Sequence, residues 1–374
     1  MKAGLVWILM MTCAMAAEHR VYFGTYTRGD SASDGIYTAM FNDADGRLNE
    51  VELATEADNP SFLTVHPKQD LLFACIEVND FQGQPTGAVA AYRIDRATGG
   101  LTLINQQPSG GGAPCHCVVD ATGKHLLVAN YLGGNAAVFP IQDDGSLGER
   151  SCLIQHIGSG PNMQRQKSPH AHSINLSADN EFAYVADLGI DRIMIYRFDD
   201  QRGLLVPSAA DSVAVKDGGG PRHFALHPNG KFAYSNNELT SETNTFVRDP
   251  ETGALDLEQT VSSIPSNYDG RKSTAECLVH PSGRFAYTSN RGHDSIAVYR
   301  INSESGRLDP VEIVGTGGRE PRNFFITPDG NWLLAANQNS DTVIVFRVDP
   351  ESGKLNQTNQ KINVGKPVCI RMLP

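Results

Sequence analysis

The chain has few cysteines, no excess of basic residues and no long apolar run. Seven cysteines in 374 residues are too sparse for a disulfide scaffold, and a chain of this length does not need one. With 31 Lys+Arg against 42 Asp+Glu the formal net charge is −11, which excludes the basic face that a nucleic-acid binder requires. The apolar run Leu5-Val6-Trp7-Ile8-Leu9-Met10-Met11 is too short to cross a bilayer, so no membrane span is expected. No Gly-x-Ser-x-Gly elbow is present, and no segment sustains an apolar period of 3.6 residues. Turn material is plentiful: 36 glycines and 20 prolines, in a chain that is 40% hydrophobic and 20% charged, the balance of a folded globular protein. Length alone suggests two or three domains.

The first 17 residues are set aside. Lys2, the apolar run and the small residues Ala14-Met15-Ala16-Ala17 have the layout of a secretory signal peptide, so residues 1–17 are expected to be removed and the protein exported, to a periplasm or outside the cell. Met10-Met11-Thr12 before Cys13 fit a lipidation site poorly. Six cysteines then remain, a number that permits disulfides, although several sit in apolar strand patterns where Cys acts as a small hydrophobe.

An internal repeat determines the fold. Pro221-Arg222-His223-Phe224-Ala225-Leu226-His227-Pro228-Asn229-Gly230 is echoed by Pro321-Arg322-Asn323-Phe324-Phe325-Ile326-Thr327-Pro328-Asp329-Gly330 and again from Thr274. Copies also start at Pro60, Pro114 and Ala171, and a truncated one at Pro367. Each full repeat of about 50 residues reads as four short strands: an apolar run after the anchor, a His-Pro-x-Gly-like turn, a second strand ending at Asn or Asp, an alternating third, and a fourth after a Gly-Arg-Leu-like turn. That is the signature of a β-propeller blade. Pro367 leaves room for one strand only. The missing three are found at the other end, from Val21–Tyr26, from Gly35–Met40 and after Asp45-Gly46-Arg47-Leu48. The expectation is an all-β, seven-bladed propeller over residues 18–374, one domain, closed by a blade shared between the two termini.

Equivalent repeat positions meet on the propeller axis. One residue after the anchor stand Ser61, Cys115, His172, Arg222, Ala275, Arg322 and Val368; two after, Phe62, His116, Ser173, His223, Glu276, Asn323 and Cys369. Seventeen after come Glu77, Tyr131, Leu188, Glu238, Arg291 and Gln338, with Tyr26 in that slot of the split blade. Elsewhere the repeats agree, because blades pack alike. Here they differ, and charged groups gather, which points to a ligand site built from one group per blade. His66, His227 and His280 recur in the His-Pro slot and read as turn or strand-end residues. Gly110-Gly111-Gly112 and Gly218-Gly219-Gly220 precede anchors without a helix behind them and are not phosphate loops. Cys115-His116-Cys117 lacks a second Cys/His pair at zinc spacing, so no metal site is assigned.

Several motifs resemble the propeller lactonase family: Gly24-Thr25-Tyr26-Thr27, Ala129-Asn130-Tyr131-Leu132-Gly133-Gly134-Asn135, Pro169-His170-Ala171-His172, Gly220-Pro221-Arg222-His223, Asn237-Glu238-Leu239 and Ser289-Asn290-Arg291-Gly292. That family contains the bacterial propeller-type 6-phosphogluconolactonases and is similar to the fungal carboxymuconate lactonizing enzymes. The resemblance runs from about Val21 to Met372. It implies a small-molecule lactone substrate and a site at one mouth of the propeller, with no metal and no cofactor. Carried over by motif, the functional residues are His172 (or its neighbour His170), Arg222, Glu238 and Arg291.

Lactone hydrolysis needs a positioned water, a base and positive charge for the oxyanion. Glu238 is the expected base, with His172 as alternative base or shuttle. Arg222 and Arg291 are expected to stabilise the oxyanion. Arg322 and Arg165 are candidates for an anionic substrate group further out, and His170, His223, Glu276 and Gln338 for binding and orientation. A monomer is the expected species. Three other readings stay open: a cycloisomerase with the same groups, a non-catalytic binding propeller, and a calcium-dependent lactonase using the Asn/Asp ladder (Asn130, Asp187, Asn237, Asn290, Asn337) and Glu77. An exported chain also sits awkwardly with a phosphorylated cytoplasmic substrate.

Overall fold

The computed structural model describes residues 17–373, and the expected signal peptide, apart from Ala17, lies outside them. Seven four-stranded antiparallel sheets form the ring. The innermost strands are Pro60–Val65, Pro114–Val119, Ala171–Leu176, Pro221–Leu226, Thr274–Val279, Pro321–Ile326 and Pro367–Met372, so every one begins at an anchor read from the repeat. We number the blades one to seven in that order. Proline suits this first position, where no ladder N–H is required.

Blade seven closes the ring. The C-terminal strand pairs antiparallel with the strand Glu18–Thr25, in register Val21↔Met372, Tyr22↔Arg371, Phe23↔Ile370 and Gly24↔Cys369. Glu18–Thr25 in turn pairs with Gly35–Asn42, and that strand with Glu52–Glu56. Without the C-terminal strand the inner edge of Val21–Thr25 would face the channel unpaired.

Burial explains the strand sequences. In blades one to six the second strand is buried along its whole length, as in Phe232–Asn237 and Leu71–Ile76, and so reads as a mostly apolar or neutral run. Outer strands such as Leu255–Ser262 are largely exposed and alternate. The cores lie between blades: Phe232 and Tyr234 of blade four pack with Cys277, Ala286 and Ala297 of blade five.

Repeated polar links tie each blade to the next. The Tyr234 hydroxyl donates to the Gly306 carbonyl at 2.8 Å, and Tyr22, Tyr184 and Tyr287 donate likewise to Gly99, Gly253 and Gly353. Gly306 has φ 72°, and a Cβ there would lie 2.5 Å from the Phe232 ring, so only glycine lets the aromatic ring seat on the turn. The His-Pro residues do the same work nearer the axis. His66, His227 and His280 place Nε2 at 2.9, 2.8 and 2.8 Å from the carbonyls of Gly123, Gly283 and Gly330 in the following blade. They are inter-blade ties, more than the turn residues that the sequence alone suggests.

The inner strands share an irregularity. In all seven blades the register to the second strand slips just after the anchor, as between Pro60 and Phe62, Pro114 and His116, Ala171 and Ser173, and Pro321 and Asn323. In a regular strand the first and second residues after the anchor would face opposite ways. The bulge turns both toward the axis. In blades four and five the slip spans two residues, and side chains replace the lost ladder bonds: Asn236 Oδ1 accepts from the His223 N–H at 2.8 Å, and Ser289 Oγ from the Glu276 N–H at 3.0 Å.

Two outcomes follow from these links. His227→Ala removes one tie and is expected to lower stability by about 1–2 kcal/mol in urea unfolding, with the axial residues undisturbed. Deleting residues from Pro367 onward is expected to lower the thermal midpoint and produce association by gel filtration; a truncated chain that stays monomeric and equally stable contradicts the closure.

Candidate active site

In blades one, two, four and five the residue seventeen after the anchor stands at the mouth of the channel, and the bulged residues reach it from below. Glu77, Tyr131, Glu238 and Arg291 from the first set, Cys115, His172 and Arg322 from the second, and Arg165 line a cleft of about 160 Å³. A narrower space below it, about 10 Å³, shares Glu77, Cys115 and Arg322 and is completed by Ser61, Phe62, Arg222, His223 and Val368. A larger hollow of about 390 Å³ lies on the outside beside Arg20 and Glu52, but its lining brings together no comparable set of buried charges.

Glu238 is the centre of the cleft's charge. Its Oε1 is 2.7 Å from Arg165 Nη2, and its Oε2 is 3.1 Å from Arg222 Nε and 2.7 Å from Arg291 Nη2. Arg222 and Arg291 are buried, while Arg165, from the loop that precedes the third inner strand, is 41% exposed. Burial alone would raise the Glu238 pKa; Arg291, Arg222 and Arg165 outweigh it and hold the carboxyl down at about 2. Burial, then Arg291 and Arg322, lower the Arg222 pKa to about 9, which leaves the guanidinium charged at neutral pH. Arg222 Nη1 also donates to the Ala275 carbonyl at 2.8 Å, and Arg291 Nη2 to that of Thr274 at 3.0 Å.

Two guanidiniums keep donors free. Arg291 Nε is buried and has no hydrogen-bond partner among the described residues. Arg322 takes part in none of the ion pairs or side-chain hydrogen bonds found among the described residues; its guanidinium lies 5.1 Å over the Tyr26 ring. The Tyr26 hydroxyl reaches both oxygens of Glu77, at 2.9 and 3.0 Å.

His172 lies in the wall, 4% exposed, with Nδ1 3.6 Å from the Cys115 sulfur. Burial, reinforced by Arg222, His223 and Arg322, drives its pKa well below the usual imidazole value, so it is neutral. His170 stands one layer back. It stacks on Tyr131 at 4.5 Å, its Nδ1 is 2.9 Å from the Tyr131 carbonyl, and Asp187 accepts from its N–H at 2.7 Å. Tyr131 in turn takes a hydrogen bond from Arg165 at 3.0 Å.

Below the cleft, His223 Nδ1 and Glu276 Oε1 are 2.5 Å apart, and Asn323 donates to the other Glu276 oxygen. These groups support the floor. Gln338 is not part of the lining; its side-chain amide meets Asn339 at 3.3 Å. Arg165 is not further out, as the sequence reading has it, but bonded directly to Glu238. The site residues that sequence reasoning left out of the lactonase site are Tyr26, Tyr131, Cys115 and Glu77, the last considered only as a calcium ligand; all four occupy the ring positions it had identified.

The Asn/Asp ladder serves the fold. Asn130 donates to the Ser109 carbonyl, Asn290 to that of Ser263, and Asp187 accepts from the N–H groups of His170 and Gly189 as well as from His156. Among the described residues no group of three or more His, Cys, Asp or Glu side chains is gathered closely enough to hold a metal ion. The six described cysteines are free thiols.

With this geometry in view, comparison with known proteins is decisive. Residues 20–372 match the family described as "Lactonase, 7-bladed beta-propeller". This chain belongs to that family. It is 40% identical to the 6-phosphogluconolactonase of Bacillus subtilis over 303 residues, covering 81% of this chain and 83% of the relative. It is 35% identical to the 6-phosphogluconolactonase of Formosa agariphila over 312 residues, covering 82% and 86%. Among solved structures, the periplasmic gluconolactonase of Pseudomonas aeruginosa superposes with a TM-score of 0.89 at 32% identity, covering 96% of this chain and 99% of that one.

The charge centre makes a pH prediction. The Glu238 carboxyl has a lower pKa in the fold, about 2, than its ordinary value of 4.5. Its contribution to stability is therefore fully present above pH 4.5 and is lost as pH falls toward 2. Glu238→Gln is expected to flatten that part of the stability profile. It should also cost roughly 3–5 kcal/mol at neutral pH, because three guanidiniums lose their counter-charge. Urea unfolding of both proteins across this pH range checks it.

Proposed function

We propose that this protein hydrolyses a sugar-type lactone at the propeller mouth, without a metal. The observation that carries the reading is the surplus of guanidinium donors over acceptors in one buried cleft. Arg165, Arg222, Arg291 and Arg322 line these spaces with two carboxylates, Glu77 and Glu238, and the Arg291 Nε and Arg322 donors have no partner among the described residues. Such a site attracts an electron-rich carbonyl oxygen, stabilises the oxyanion that forms on it and repels a divalent cation. Its size, about 160 Å³, is below the roughly 300–1,000 Å³ of drug-sized sites and suits a compact metabolite better than a glycan chain or a peptide.

Arg222 and Arg291 are held rigid by Glu238 and by backbone carbonyls, so their donors are aimed before substrate arrives. His172, neutral and buried, acts as a hydrogen-bonding wall group and a weak proton acceptor. Arg322 holds an anionic or hydroxyl-rich part of the substrate. His223 and Glu276 brace the floor, His170 braces Tyr131, and Gln338 stays at the rim.

Export forms part of this proposal. The Pseudomonas aeruginosa structure is named periplasmic, and no helix among the described residues is long and apolar enough to cross a membrane. An exported enzyme would meet plain gluconolactone more readily than its phosphorylated form. The test is a panel of plain and 6-phosphorylated sugar lactones, with spontaneous hydrolysis subtracted, in the presence and absence of a chelator. Hydrolysis to the open hydroxy acid, unaffected by chelation, is expected. Turnover of a muconate alone would transfer the site to the cycloisomerase reading, and chelator sensitivity would end the metal-free one.

Arg291→Lys keeps the charge and can replace Nη2, which meets both Glu238 and the Thr274 carbonyl, but it has no counterpart of the separate Nε donor. It is expected to lower kcat by roughly 10²-fold. Steady-state kinetics on the best lactone checks this.

A further inference from the structure

Glu77 and Glu238 line the same cleft, but their surroundings differ. Both Glu238 oxygens are occupied by arginines: Arg165 on one, Arg222 and Arg291 on the other. Glu77 belongs to no ion pair among the described residues. Among the described residues its carboxylate accepts only from the Tyr26 phenol, which spans both oxygens at 2.9 and 3.0 Å.

A general base needs a lone pair open to the water and a protonated form that its surroundings tolerate. Glu238 fails the second requirement, since a proton there would remove the counter-charge of three guanidiniums at once, and three of its acceptor positions are already taken. Each Glu77 oxygen keeps lone-pair capacity beyond the bond from Tyr26. We propose that Glu77 is the general base of lactone hydrolysis, that Tyr26 positions it, and that Glu238 is the clamp that aims the arginines.

This rests on the lactonase reading and names its base. The titratable and charged groups nearest Glu77 are Tyr26, which follows the strand Glu18–Thr25, Arg322 of blade six, Cys115 of blade two and Cys75 of its own blade; Arg222 and His223 share the space below it, and Tyr131, Arg165, His172, Glu238 and Arg291 the rest of the cleft. Burial raises the Tyr26 hydroxyl and both thiols above their usual range, so all three stay neutral; of the nearest groups Arg322 carries the charge, while Arg165, Arg222 and Arg291 have Glu238 as their counter-ion. Arg322 is therefore beside the base without a bond to it, free to hold the substrate.

In the reaction Glu77 takes one proton of the water as the water oxygen bonds to the carbonyl carbon. The carbonyl electron pair moves onto its oxygen, facing the guanidiniums. Collapse of that oxyanion breaks the ring C–O bond. The departing ring oxygen takes the proton back from Glu77 and becomes a hydroxyl, and the new carboxylic acid ionises, releasing one proton to solvent. Water and lactone give hydroxy acid, with no other reactant.

The experiment compares Glu77→Gln, Glu77→Ala, Tyr26→Phe and wild type on the best lactone of the panel, with circular dichroism and thermal melts as the folding control. Glu77→Gln is expected to lower kcat by roughly 10²–10³-fold with KM within about threefold of wild type. Added formate or acetate is expected to restore part of the rate to Glu77→Ala, which a structural role would not allow. Tyr26→Phe is expected to lower kcat by roughly tenfold with KM within about threefold of wild type, because the hydroxyl that fixes both carboxylate oxygens is gone. A folded Glu77→Gln with kcat within threefold of wild type overturns the base assignment and leaves the lactonase reading standing. So does a loss confined to KM, or a Glu77→Ala that no carboxylate rescues. A wild-type protein inactive on every lactone overturns both.

Discussion

Closure of the ring by the C-terminal strand is the constraint on which the other features depend. Pairing of Val21–Gly24 with Met372–Cys369 fixes the number of blades, and so the angle at which each inner strand meets the axis. Only in a closed ring do Tyr26, Glu77, Tyr131, Glu238 and Arg291, spread over 265 positions of sequence from 26 to 291, share one mouth. The inter-blade ties repeat the same logic locally. A tyrosine or histidine from one blade satisfies a turn carbonyl of the next, so a turn that would otherwise hydrogen-bond to water becomes part of the adjoining interface. The dominant stabilisation still comes from apolar side chains packed between sheets, as in the cluster around Tyr234 and Ala297.

The bulge after each anchor converts this scaffold into a site. A straight inner strand would offer the channel every second residue. The slipped register offers two in succession, Arg222 with His223 and Ser61 with Phe62, and so places a charged upper layer directly on a braced lower one. The lower layer is where His223, Glu276 and Asn323 satisfy one another. Burying these polar groups is tolerable because each has a partner. The upper layer is left with donors in excess, and that imbalance is what a ligand would relieve.

Much of this was legible in the sequence, because a propeller writes its geometry as a repeat. The anchors at 60, 114, 171, 221, 274, 321 and 367 coincide with the starts of the seven inner strands. The ring positions pointed to Glu238, His172, Arg222, Arg291 and Arg322, and the structure brings all five to the channel mouth. Gln338 shares its offset with Glu238, yet its side chain turns to Asn339, because a short helical turn over Gln338–Ser340 follows the strand there. Arg165 lies in a loop outside the repeat, so no alignment of blades could report that it reaches Glu238. Nor can a list of ring residues say which partner each one chooses. Choice of partner depends on side-chain reach across two blades, and it separates one glutamate from another.

That separation is where the chemistry divides. Glu77 and Glu238 are the same residue type at the same repeat position, and a sequence has no means of ranking them. Their neighbours rank them. Three guanidiniums around Glu238 make its ionised form the only stable one, so it serves by keeping Arg165, Arg222 and Arg291 in fixed orientation. A phenol against Glu77 holds the carboxylate in place without neutralising it. Hydrolysis of an ester needs both roles within one cleft: fixed positive charge for the carbonyl oxygen and a carboxylate free to gain and lose a proton. One carboxylate cannot fill both, because the cations that stabilise the oxyanion also suppress the basicity of any carboxylate bonded to them. A ring of seven non-identical blades resolves the conflict by choice of partner, with Glu238 bonded to its arginines on blade four and Glu77 bonded to its tyrosine on blade one.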